Sequence, residues 1–188
     1  MATVKSSKTP SNREEDRKKN HEEAVKTLPV IGNSVKIKVA GIKHVPAKVD
    51  TGATISSIWA SNIQLTPDNR LEFSLFAPES PLYTGERLST DDFKVRNVRN
   101  STGHETIRYM VALSTVIKGK KIRISYTLAD RSRNDFPVLI GRRALNGKFL
   151  VDVSKLGVPY PPRPINDALN CELREDPQKF HQKYMEKQ

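Results

Sequence analysis

From Leu28 onward, apolar and polar positions alternate with the period of a strand rather than of a helix. Val35, Ile37 and Val39 are separated by Lys36 and Lys38, so that run has one wet face and one core face. The pattern predicts strands over LPVIG (28–32), VKIKVAGI (35–42) and HVPAKVD (44–50), joined by tight turns at Gly and Pro. TISSIWA (54–60) is a further short apolar run. FKVRNVRN (93–100) and TIRYMVALSTVI (106–117) flank the polar cluster STGHE (101–105), which predicts a hairpin. The next turn falls at GKK (119–121), and KIRISYTLAD (121–130) alternates through another strand. FPVLIG (136–141) reads as a short, wholly apolar strand, followed by one or two helical turns in RRALNG (142–147) that stop at a glycine. KFLVDV (148–153) closes the series as a last strand.

Other segments lack this texture. Residues 1–27 are polar, charged and rich in Ser, Asn and Lys, which predicts a disordered tail with a frayed helix around Arg13–Lys26. Residues 64–92 are rich in Pro, Ser, Glu and Asp and read as an insertion holding one strand at Leu71–Phe76. Beyond Gly157, VPYPPRP cannot extend a ladder because proline has no N–H, and the charged remainder predicts a short helix over 176–186. The expected organisation is a tail at 1–27, a mostly β domain at 28–156 and a Pro-rich, charged tail at 157–188.

Composition narrows the function classes. With 188 residues, 36% of them hydrophobic, and a mean hydropathy of −0.57, the chain holds one compact domain plus tails. A two-lobed enzyme is excluded, so a site needing two similar halves must take them from two copies of the chain. There is no apolar run of ~18 residues and no apolar core in a leader, so neither membrane insertion nor secretion is expected. The single Cys171 permits no internal disulfide and fits a cytoplasmic location. His21, His44, His104 and His181 form no metal-ligand spacing with one another or with Cys171, so no metal is expected. Gly119-Lys120 lacks the upstream glycine and following hydroxyl of a phosphate loop, and no cofactor is expected.

Charge is concentrated in one stretch. Residues 94–143 carry 12 basic and 3 acidic groups, against a net +11 for the whole chain. Such a field attracts an anionic partner, whether acidic peptide or nucleic acid. Nucleic acid is the weaker reading, because the stretch lacks the aromatic interleaving expected of single-strand binders.

The most informative residues are AKVDTGATISS, 47–57. An apolar strand runs into Asp50-Thr51-Gly52-Ala53, where Gly52 allows a sharp turn and Ala53 keeps it uncrowded. One carboxylate is thereby presented at a strand end, within reach of neighbouring N–H and hydroxyl groups. Downstream, Val138-Leu139-Ile140-Gly141-Arg142 supplies an apolar strand and a glycine that permits close backbone approach, as is needed to pack behind such a loop.

In this order, with a hairpin between them, these pieces resemble the retropepsin-like aspartic proteases. The resemblance covers about residues 28–153, and KVDTGATISSIWA, RNSTGHETIR and FPVLIGRRALNGKFLVDVS are similar to a bacterial and archaeal family labelled "ATP-dependent zinc protease". Some members of that family occur beside ATP-grasp glutamate ligases. Neither half of the label has residues behind it here, since nucleotide loop and zinc ligands are both missing from the sequence. The resemblance implies an all-β fold, a closed retropepsin-like barrel with one short C-terminal helix. It implies Asp50, Thr51 and Gly52 as the catalytic loop, with Thr51 bracing two loops across a dyad and the Gly52 N–H near the carboxylate. It also implies a flap with its tip at Ser101, Thr102, Gly103 and His104. Ala53, the tip residues, and Arg99 and Arg108 on the arms are then substrate contacts, the two arginines and His104 suited to acidic side chains.

Aspartic proteolysis needs two carboxylates about 3 Å apart sharing one proton. A single D-T-G per chain therefore requires a homodimer with paired Asp50 residues. Two other readings remain open: a peptide-binding module that keeps the fold without a productive dyad, and an accessory protein for anionic RNA or ribosomal surfaces.

Overall fold

The computed structural model describes residues 25, 27–99, 103–159 and 165–185. The expected N-terminal tail, Val25 and Thr27 apart, therefore lies outside the described residues.

Eleven strands are defined among the described residues: β1 (Val30–Ile31), β2 (Ser34–Val39), β3 (Ile42–Asp50), β4 (Ser56–Leu65), β5 (Leu71–Leu75), β6 (Arg87–Thr90), β7 (Phe93–Arg99), β8 (Glu105–Ile117), β9 (Lys120–Ala129), β10 (Val138–Gly141) and β11 (Leu150–Val151). The helices are α1 (Arg142–Leu145), α2 (Ile165–Glu175) and α3 (Pro177–Tyr184). Strands follow one another in the order β10-β3-β2-β8-β9-β4, and β4 pairs back onto β10. The result is a closed six-stranded barrel, so the fold is all-β and retropepsin-like, with no free edge in this ring.

Alternation fills the barrel. Val39, Val45, Ala47, Ile58, Ile117, Tyr126, Val138 and Ile140 are buried to within 2% or less of full enclosure. Lys36 and Lys38 stay on the wet face of β2. Two turns fix the register of this sheet. Ala40-Gly41 and Lys118-Gly119 all have positive φ, the mirror-image turn whose twist matches a hairpin.

The 64–92 segment does more than was expected of an insertion. β5 pairs with β4 and β6 pairs with β5, so the segment extends the sheet outward from the barrel. Leu71, Phe73, Leu75 and Phe76 join the core. The four-residue β6 was hidden because its side chains are half-exposed or exposed and carry no apolar alternation.

After β11 the chain crosses back over the β1–β2 corner. A Cβ on Gly32 would sit 2.1 Å from the Lys155 carbonyl oxygen, and one on Gly157 would sit 1.9 Å from that of Ser34. Only glycine fits at either crossing. Ser34 Oγ donates to the Val158 carbonyl at 2.7 Å and accepts from its N–H at 2.8 Å.

The C-terminal residues hold two helices where one was expected. Asp176 ends α2 and caps α3, its side chain accepting from the Lys179 N–H at 3.0 Å with Pro177 at the first helical position. The helices are tied by Glu172, which accepts from Lys183 Nζ at 2.6 Å and from the Tyr184 hydroxyl at 3.0 Å. The proline run that argues against a sheet says nothing about residues beyond it, which is why α2 was missed.

Candidate active site

The strand period that buries Val45, Ala47 and Val49 turns Asp50 out of the core at the C-terminal end of β3. Its Oδ1 accepts from the N–H groups of Gly52 and Ala53, both at 3.0 Å. One carboxylate oxygen is thus held by two backbone donors, and the other makes no hydrogen bond among the described residues. Gly52 does not adopt the left-handed conformation that the sharp turn suggested. The close quarters are elsewhere, since a Cβ there would lie 3.3 Å from Asp50 Oδ1.

The loop is braced from behind by β10, which lies parallel to β3 and pairs Gly141 with Asp50. Gly141 N–H donates to Ser56 Oγ at 3.0 Å, Arg142 N–H to the Ala53 carbonyl at 2.8 Å, and Arg143 N–H to that of Thr54 at 3.3 Å. The Gly141 backbone passes so close that its Cβ would meet Ile55 C at 2.7 Å and Ala53 O at 2.9 Å. Ser56 is buried, so Ser56→Ala leaves a buried donor unpaired. We expect a loss of about 1–3 kcal/mol in urea unfolding, with an unchanged denaturant slope.

Thr51 and Gly52 are exposed and Ala53 is half-buried. Beside Thr51 lies an open cavity of ≈ 600 Å³, whose walls include Leu28, Leu145, Phe149 and Leu150.

β7 and β8 form the expected hairpin, in register from Phe93↔Val111 to Arg99↔Glu105. Ser101 and Thr102 lie outside the described residues. Gly103 has φ +85° and is exposed, as is His104. Arg99, expected to meet substrate, is tied within its own hairpin: its Nε donates to Glu105 Oε1 at 2.7 Å, and Asn97 donates to Oε2 at 2.6 Å. These two bonds hold the Glu105 carboxyl below its ordinary pKa, Asn97 contributing more. Arg108 is half-buried, with its Nε 3.0 Å from Thr106 Oγ1. It stands directly opposite Arg96 across the hairpin, a like-charged pair that costs stability unless an anion joins it.

Arg131 was not anticipated. It follows β9, half-buried, and its Nε donates to the Phe136 carbonyl at 3.1 Å, which closes the 130–137 loop. Arg108 lies two positions beyond the Met110↔Thr127 pair of β8 and β9, at the same end of this ladder as Arg131. Burial holds the Arg131 guanidinium below its ordinary pKa, the Arg108 charge pushes the same way, and the Asp50 carboxylate pulls it back up. The Arg131 guanidinium therefore lies within range of the charges of both Arg108 and Asp50. In the sequence Arg131 is one of twelve cations of the central stretch, and nothing local marks it out.

Among the described residues, no three His, Cys, Asp or Glu side chains gather as a metal-binding group, and no helix is long and apolar enough to cross a membrane.

Over 120 residues the chain is 31% identical to a Shewanella pealeana protein named "Probable alpha-L-glutamate ligase", a match covering 61% of this chain and 26% of that one. A protein of the same name from Parasynechococcus marenigrum is 30% identical over 115 residues, covering 60% and 25%. The matched region thus spans about a quarter of the length of these curated relatives. A crystal structure of a Legionella pneumophila protein of unknown function aligns with a TM-score of 0.49 at 23% identity, covering 68% of this chain and 95% of that one. The model of the family described as "Retropepsin-like aspartic endopeptidase RimB" matches residues 30–159, and the chain belongs to that family.

Proposed function

We propose that the protein is an aspartic peptidase that works as a homodimer and cleaves acidic, glutamate-rich peptides. The observation that carries this reading is Asp50 itself: a carboxylate turned out of the core, one oxygen held by two amides and the other open. The exposed Thr51 and the partly apolar cavity beside it offer a surface on which a second copy would bring its own Asp50 close. Two carboxylates at that range share one proton. The ionised one takes a proton from water as the water oxygen attacks the scissile carbonyl, and the protonated one donates to that carbonyl's oxygen. Collapse of the tetrahedral intermediate then passes a proton to the departing amine and restores the shared-proton dyad.

Acidic selectivity is supported by Arg131, a half-buried cation in the field of Asp50, and by the half-buried Arg108 whose charge Arg131 feels. The glutamate-ligase name of relatives that contain a similar segment points to the same substrate chemistry. Arg131→Ala should raise KM for a glutamate-rich peptide about 10–100-fold, the worth of one charge-assisted hydrogen bond, and leave a neutral peptide within about 2-fold. Arg131→Lys should recover only part of the loss, because an ammonium cannot chelate a carboxylate bidentately.

The test is digestion of glutamate-rich and neutral peptides, read by mass spectrometry, with the protein sized by sedimentation beforehand. Cleavage of the acidic set by dimeric protein is the expected result. A well-formed dimer that cleaves nothing would replace the peptidase reading with a peptide-binding module.

A further inference from the structure

Away from Asp50, a groove of ≈ 710 Å³ opens on the outer wall of the barrel. It lies between the wet face of β2, the β8–β9 turn, and the 155–157 segment pinned across the β1–β2 corner. Lys36, Lys38, Lys43, His44, Lys118 and Lys155 line it, and no acidic residue does. Lys155 is paired with Asp152 at 3.2 Å. Lys36, Lys38, Lys43 and Lys118 have no acidic partner among the described residues.

The groove is remote from the catalytic loop. Lys43 and His44 begin β3 and Asp50 ends it, and six to seven strand positions at ~3.3 Å each put them about 20 Å apart. The wall is also closed to strand addition, because Ile37–Val39 of β2 pairs with β8 as well as β3, and the segment that reaches Val158 crosses β2 at Ser34. An occupant must therefore be held through its side chains. Four like charges around one concavity raise the local concentration of anions and repel one another until an anion arrives. No Phe, Tyr or Trp lines the groove, so nucleic-acid bases would find no stacking platform. A chain carrying carboxylates on flexible stems meets both conditions.

We propose that this groove is an exosite for an acidic stretch of polypeptide, engaging carboxylates of a bound chain far from the bond that is cut. The identity of that chain rests on the proposed function; the anion binding does not. A peptide must bridge about 20 Å, at least ~6 extended residues, to reach both sites, so the gain from the groove depends on length.

The test uses full-length Asp50→Asn protein, which holds peptide without turnover, and fluorescent oligoglutamates of about 4 and about 20 residues, lengths below and above that span. Anisotropy should show the long peptide bound at least about 10-fold more tightly, with a steep loss as salt rises. Lys36→Glu/Lys38→Glu/Lys43→Glu should abolish that gain and flatten the salt dependence; Lys→Gln at the same positions should give a smaller loss in the same direction. All three side chains are exposed, and circular dichroism checks that the fold survives. Full retention of long-peptide affinity in both triple variants would overturn the exosite. So would a single-stranded RNA of matched charge that binds more tightly than the peptide and loses that advantage on triple substitution. If wild-type protein cleaves nothing yet the charge reversal still removes the long-peptide gain, the exosite stands and the peptidase reading fails.

Discussion

Asp50→Asn should lower peptide hydrolysis by at least about 1,000-fold, the upper range for losing a group that transfers protons in the transition state. The fold should persist, because an amide oxygen can still accept from the Gly52 and Ala53 N–H groups that now hold Oδ1 at 3.0 Å. Dimer content should be unchanged or higher, since in the proposed dimer the substitution relieves the two-fold axis of two carboxylates competing for one proton. Mixing sharpens the experiment. If each active site needs one Asp50 from each chain, an equal, fully exchanged mixture of wild-type and Asp50→Asn protein has about a quarter of its dimers intact. Activity should then follow the square of the wild-type fraction. A linear fall would show that one Asp50 suffices and would remove the shared dyad, and undiminished cleavage by pure Asp50→Asn would remove Asp50 from the chemistry altogether.

Gly141→Ala should damage both stability and catalysis through a single methyl group. The new Cβ would lie 2.7–2.9 Å from the backbone of Ile55 and Ala53, and backbone cannot swing aside as a long side chain can. Overpacking of this kind costs about 1–3 kcal/mol, enough to lower the thermal midpoint by several degrees or more. The atoms that must retreat belong to the segment that follows Asp50, and Gly141 is also the residue paired with Asp50 across β10 and β3. A displacement near 1 Å in a catalytic group can cost about 100-fold in rate, so kcat should fall far more than the population of folded protein does. Calorimetry and kinetics on one preparation check this. A variant with wild-type kcat and midpoint would show that β10 and the Asp50 loop can part without consequence.

Much of the site was legible because it is local. The Asp50-Thr51-Gly52-Ala53 turn follows a strand by its own residue pattern, and the hairpin pairing of 93–99 with 105–117 follows from alternation around a polar tip. The Arg99–Glu105 pairing was not legible for a related reason. Glu105 lies opposite Arg99 in register, and which charges face one another emerges only when the register is fixed. The outer strand β5 was legible at Leu71–Phe76, whereas β6 was hidden because pairing onto β5, rather than its own composition, makes it a strand.

By itself the sequence determined the strand succession apart from β6, the position of the outward-facing carboxylate and the basic centre of the chain, because each is written in neighbouring residues. The tertiary structure alone decided the rest. It wedged β10 between β3 and β4, which closes the barrel and makes Gly141 irreplaceable. It brought Arg131 into the field of Asp50 and Arg108, and it gathered lysines from four separate strands, turns and loops around one groove. The cause is the same in each case: residues far apart in the chain become neighbours only when non-local strand pairing is complete, and no local pattern records such a meeting.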